Sequence, residues 1–157
     1  MVATTPSLAV QSALVAAVEA LDAASRPVGR SSITVGVTPW DDCCATGGEC
    51  YARIDRLYRS DRFPAEGSLQ ACVAPTSALV VVGVARCYPS LDEGGNAPDP
   101  VQETNASLLL YEDALIVWQA LQDPGWWPDA VLVNDQQFLA LGGCCAFETQ
   151  VFVQLVG

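Results

Sequence analysis

Seven cysteines in 157 residues, four of them in two doublets, constrain this chain more than any other feature. The doublets are Cys43-Cys44 and Cys144-Cys145, with Cys50, Cys72 and Cys87 between them. There is no histidine, and all seven basic side chains are arginine. The commonest general base, the commonest metal ligand and the amine nucleophile are missing together. Such a chain reads as a part that is folded, fastened and assembled, not as an enzyme.

Three explanations compete for the cysteines. A zinc site normally shows paired C-x₂₋₄-C knuckles, whereas adjacent doublets rarely aim both sulfurs at one tetrahedral ion. Thiol redox catalysis normally uses C-x-x-C spacing, which is absent. Disulfides fit better: the candidates for bridges or other structural roles are Cys43, Cys44, Cys50, Cys72, Cys144 and Cys145. A bridge from the 43/44 loop to the 144/145 loop would close about a hundred residues, worth up to about 4–5 kcal/mol in the chain-entropy model. It requires an oxidising stage, because cytosolic thiols stay reduced. The alternative is that several are buried free thiols behaving as small hydrophobes, and Cys87 at the end of a strand best fits that description. An odd count leaves at least one thiol outside any intramolecular set.

Hydrophobic residues make up 51% of the chain and charged residues 16%. That is thin polar cover for a monomer, so the expectation is a sheet buried on both faces or apolar surface covered by other subunits. Net charge is −11, from 18 acidic side chains against seven arginines. A body this acidic disfavours sequence-reading contact with nucleic acid. No basic leader opens the chain, and the longest apolar run, Ala78 to Ala85, is far short of the ~20 residues a membrane span needs. The expectation is a soluble protein made in a cytosol, with no membrane partner and no cofactor.

Thr5-Pro6 starts a helix with Val10, Leu14, Val18 and Leu21 on one face. Ile33, Val35 and Val37 alternate as a strand that Pro39 stops. Residues 50–62 carry Arg53, Arg56, Arg59 and Arg62 at every third position; Tyr51, Ile54 and Tyr58 favour a strand there. Ala78–Ala85 reads as a central strand. A Pro/Gly/Asp-rich loop at 89–99 leads to Asp99-Pro100 and a second helix, with Gln102 completing a capping box. Its core face is Leu110, Ala114, Val117 and Leu121, joined by Tyr111 and Trp118, opposite a narrow polar stripe of Asn105, Glu112, Gln119 and Asp123. Strands near Ala130–Val133 and from about 146 to 156 close the chain. The predicted fold is a single α+β domain over 1–157: two helices on a mainly antiparallel sheet of about five strands, in the order helix, three strands, helix, two strands.

No motif supports catalysis. The carboxylate pairs Asp41-Asp42 and Asp92-Glu93 suit solvated turns, and no nucleophile accompanies them. Gly47-Gly48 and Gly142-Gly143 lack the Lys of a phosphate loop. The arginine run is the sharpest polar feature. Arg53, Arg56, Arg59 and Arg62 form a candidate subunit interface, a basic strip meeting an acidic surface of the next identical copy. Local pairing with Asp55 and Asp61 in a solvated strand explains the run equally well.

Three segments together resemble a known family: Trp40-Asp-Asp-Cys-Cys, Arg86-Cys-Tyr-Pro-Ser-Leu-Asp, and Gly142-Gly-Cys-Cys-Ala-Phe-Glu. They are similar to small head-to-tail neck proteins of long-tailed actinobacteriophages, most closely the tail terminators. Members of that group carry a glycine-rich stretch and a tryptophan after the late cysteine, where this chain has Cys145, Ala146 and Phe147. The resemblance implies a virion structural protein at the head–tail junction, assembled in the host cytoplasm as a homo-oligomeric ring, commonly a hexamer. Such a ring ends tail-tube growth and joins the tail to the head side. Its implied partners are further copies of itself, the tail tube protein and a head-side connector or stopper, with DNA passing through an acidic lumen unread; Asp92, Glu93 and Asp99 are then the implied candidate contacts with an axial partner or that channel. A head-completion (stopper) or adaptor role in the same neck is the nearest alternative. A cysteine-based metal or redox module and a small-molecule-binding domain are the alternatives from other classes.

Overall fold

The computed structural model describes residues 4–36, 42–67 and 76–155. Its elements run α1 (Pro6–Ala23), β1 (Arg30–Ile33), β2 (Glu49–Arg59), β3 (Thr76–Cys87), α2 (Pro100–Gln122), a 3₁₀ turn (Pro124–Trp126), β4 (Val131–Leu141) and β5 (Cys144–Gln154). The five strands form one sheet in the order β1-β2-β3-β5-β4. All neighbours are antiparallel except β1 and β2. The fold is therefore α+β with a mixed, mostly antiparallel sheet.

Both helices start where the sequence provides caps. Thr5 accepts from the Leu8 amide at 3.2 Å, and Asp99 accepts from the Val101 amide at 2.9 Å; a proline occupies the first helical turn of each. α1 lies over β2 and β3, and α2 over β5 and β4. The deepest positions of α1 are Ala9, Ala13, Ala17 and Leu21, with Leu14 and Val18 half-buried beside them. Small side chains let the helix axis approach the sheet closely. Cys50, Ala52, Ala78, Val80, Val82, Val84, Phe147, Val151 and Val153 supply the sheet side of this core, with Leu110, Ala114, Val117 and Leu121 of α2 above them.

Three expectations are corrected. The first strand covers Arg30–Ile33; Thr34, Val35 and Gly36 of the expected alternation fall outside it, with Val35 fully exposed, while Val37 and Pro39 lie outside the described residues. β1 is an edge strand pairing only with Glu49–Ala52, so its apolar residues are not sorted onto a buried face. β4 continues eight residues past Val133, because Asn134, Asp135, Gln136 and Gln137 belong to an edge strand where polar side chains are tolerated. Gln136 is held by donating to the Ala114 carbonyl (2.7 Å) and Thr149 Oγ1 (2.9 Å). Tyr111 leaves the expected core face of α2: it is largely exposed and stacks edge-on against Phe138 of β4.

β4 and β5 turn over Gly142-Gly143, with Leu141 opposite Cys144. Gly142 has φ +60°, the left-handed conformation that a two-residue hairpin requires.

Candidate assembly surfaces

The cysteine doublets meet a cross-strand pair. Cys87 at the end of β3 stands opposite Cys144 at the start of β5. The 42–48 loop brings Cys43 and Cys44 to the same place, and each takes one partner: Cys43–Cys144 and Cys44–Cys87 are disulfides. The bridges lie side by side, with Sγ of Cys43 and Cys44 3.9 Å apart. Cys43, Cys144, Ala85 and Ala146 form a small buried cluster on the face of the sheet turned away from the helices. The expectation of Cys87 as a free buried thiol is thus overturned. Cys50 and Cys145, candidates for bridges, are instead free and buried. Burial pushes the Cys50 thiol up to about 12, against a smaller opposing pull from Arg86, and burial also raises Cys145. Cys72 lies outside the described residues.

The arginine run divides in two. A bulge between Ile54 and Arg56 breaks the alternation of β2, so Arg53 (opposite Val81) and Arg56 (opposite Leu79) share the face away from the helices. Both are used within the chain. Arg53 donates to both carboxylate oxygens of Glu148, which also accepts from Tyr51 Oη at 3.1 Å. That carboxylate raises the Arg53 pKa. Arg56 pairs with Glu66 and lies over the Tyr58 ring, 4.9 Å from its centroid. Arg53 and Arg56 are therefore already paired within the chain, Arg53 mostly buried and Arg56 still exposed. Arg59 and Arg62, at the end of β2 and in the turn after it, are exposed and form no salt bridge among the described residues.

The acidic loop is partly self-satisfied. Asp92 accepts from the Asn96 amide at 2.8 Å and its side-chain nitrogen at 3.0 Å, which lowers its pKa. Asp99 caps α2. Glu93 is exposed.

One polar centre was not anticipated. Asp113 is completely buried on the sheet-facing side of α2 and holds two arginines, Arg26 (2.7 and 3.0 Å) and Arg86 (2.9 Å). Hydrogen bonding to Asp113 raises the Arg26 pKa. Its spacing from Leu110 and Val117 is a signal readable in the sequence, since an acid three and four residues from core positions must face inward with a cation.

Among the described residues no three Cys, Asp or Glu side chains are grouped to hold a metal ion, and no helix is long and apolar enough to cross a membrane. A groove of about 740 Å³ between α1 and the 3₁₀ turn is lined by Leu8, Ser12, Val15, Glu19, Asp123 and Trp126; it gathers no cluster of reactive groups. The surface carries exposed leucines on α2 and β4 and, at Arg59 and Arg62, a basic tip without a salt bridge among the described residues. No protein-family model and no curated protein matches the chain.

Proposed function

We propose that this chain is a structural virion protein of a long-tailed phage. It forms a homo-oligomeric ring at the head–tail junction that ends tail-tube growth and joins the tail to the head side. The observation that carries the reading is where the three family-like segments lie. Cys43 and Cys44 come from the first, Cys87 from the second and Cys144 from the third, and they join in one double clamp. Segments scattered along the sequence thus serve a common structural purpose.

Three further features support it. Large apolar side chains are exposed on both faces, Leu108, Tyr111, Leu115 and Phe138 on the helix side and Leu139 and Leu141 of β4 on the other, in a chain with few charged residues; subunit contact would cover them. A net charge of −11 suits a ring that lets packaged DNA slide without binding. Bridges that persist only outside a reducing cytosol suit a particle that leaves the cell. A stopper or adaptor in the same neck would share these properties and differ in which partner it binds.

Native mass spectrometry and negative-stain microscopy of the purified oxidised protein test the reading. A discrete closed oligomer of annular shape is expected. A monomer across the micromolar range, alone and with tail tube protein, would overturn it.

A further inference from the structure

We propose that the Arg59/Arg62 tip of one copy docks on the exposed stripe of α2 in the next, around Glu112. This inference rests on the ring reading and names the two surfaces that make the contact.

The argument begins with charge. Five of the seven arginines are paired internally: Arg26 and Arg86 with Asp113, Arg30 with Asp42 and Glu49, Arg53 with Glu148, Arg56 with Glu66. Arg59 and Arg62 remain; across residues 59–62 they stand against the single Asp61, so the tip itself keeps net positive charge. Leu57 beside them is 52% exposed. A partner for this tip must be acidic and partly apolar.

The α2 stripe has that character. Leu108, Glu112 and Leu115 follow one another at helical spacing on the solvent side, flanked by Tyr111 and by Phe138 of β4. Leu115 is 56% exposed, Tyr111 54% and Phe138 46%. α2 contains no cation, and Glu112 forms no salt bridge among the described residues. A carboxylate flanked by Leu108, Tyr111 and Leu115, and acting on Arg26 only as a secondary coulombic influence, suits an arginine, whose planar cation is weakly hydrated and stacks on rings.

Position then fixes the type of assembly. The tip belongs to β2, whereas α2 packs over β5 and β4 at the other side of the sheet. Two different patches on opposite sides make a heterologous contact, which propagates and closes into a ring when the rotation allows. A two-fold dimer through the tips would set like charges together.

Charge reversal tests this directly. One variant carries Arg59→Glu and Arg62→Glu; the other carries Glu112→Arg. Each should fold with a wild-type melting curve, since these side chains are exposed, and each should lose the oligomer, with the dissociation midpoint raised at least about tenfold. Mixed in equal amounts they should reassemble into alternating rings, because every contact then joins opposite charges. Variants that assemble as wild type does, or folded variants that fail to recover on mixing, would overturn the docking while leaving the ring reading intact. A wild-type protein that is itself monomeric overturns both.

Discussion

Arg86 Nε lies 2.9 Å from Oδ2 of Asp113, a carboxylate with no solvent exposure. The same guanidinium donates to the carbonyls of Arg26 (2.6 Å), Pro27 (2.7 Å) and Gly47 (3.2 Å). One side chain at the end of β3 thereby fixes α2, the segment leaving α1 and the cysteine-bearing loop. Arg26 grips both oxygens of the carboxylate, Nε donating to Oδ1 and Nη2 to Oδ2.

Removing the shared acid leaves two cations without their counter-charge in a largely dry site. Asp113→Ala is expected to cost about 3–5 kcal/mol, the range for breaking one side of a buried pair. Urea unfolding of the variant measures it. A loss below 1 kcal/mol, on the order of a surface pair, would show that the cluster contributes little.

The bridges predict a redox-dependent melt. Cys43–Cys144 spans 101 residues and Cys44–Cys87 spans 43. Each should contribute about 2–5 kcal/mol by restricting the unfolded chain. The double variant Cys43→Ser, Cys144→Ser should therefore melt well below wild type under oxidising conditions, and reductant should narrow the gap between them. A wild-type melting curve indifferent to reductant contradicts the pairing.

That pairing also marks the limit of what the sequence discloses. The 43/44 and 144/145 loops could be matched because both doublets flank strands. Cys87 could not, because its partner follows from the register that sets it opposite Cys144. The helices were legible for the opposite reason. Caps at Thr5 and Asp99 and the period of Leu110, Ala114, Val117 and Leu121 are local, and the core accepted them unchanged. Edge strands hid themselves: β4 tolerates Asn134 to Gln137, and β1 leaves Ile33 exposed, so neither shows the alternation of a half-buried strand. The four arginines looked equivalent until a bulge turned Arg53 and Arg56 to one face and gave them acids.

Cys50 gives a pH dependence. Its folded thiol holds a proton to about 12 because burial disfavours the thiolate, whereas an unfolded cysteine ionises near about 8.5. Above that lower value the unfolded chain binds fewer protons, so stability falls as pH rises, by at most about 1.4 kcal/mol per pH unit from this group. Below it the thiol adds no slope. Cys145, raised in the same direction, adds a slope of the same sign. Denaturant midpoints between pH 8 and 10 should therefore decline, and Cys50→Ala should flatten the decline. An unchanged slope in that variant would remove Cys50 as a cause.

Gly83 carries the last prediction. It sits mid-strand in β3, opposite Tyr51, whose ring occupies the place where a side chain would stand. A Cβ added at Gly83 would come 2.2 Å from Tyr51 Cζ. Tyr51 is fully buried and tied through its hydroxyl to Glu148, so the ring has little room to withdraw. Gly83→Ala should therefore cost about 1–3 kcal/mol, as overpacking does. Part of that loss should return when Tyr51 is shortened to Leu in the same chain, since the clash disappears. A double-mutant cycle on urea unfolding reads the coupling between the two positions. If the two losses simply add, the ring does not occupy the space above Gly83, and the glycine is there for another reason.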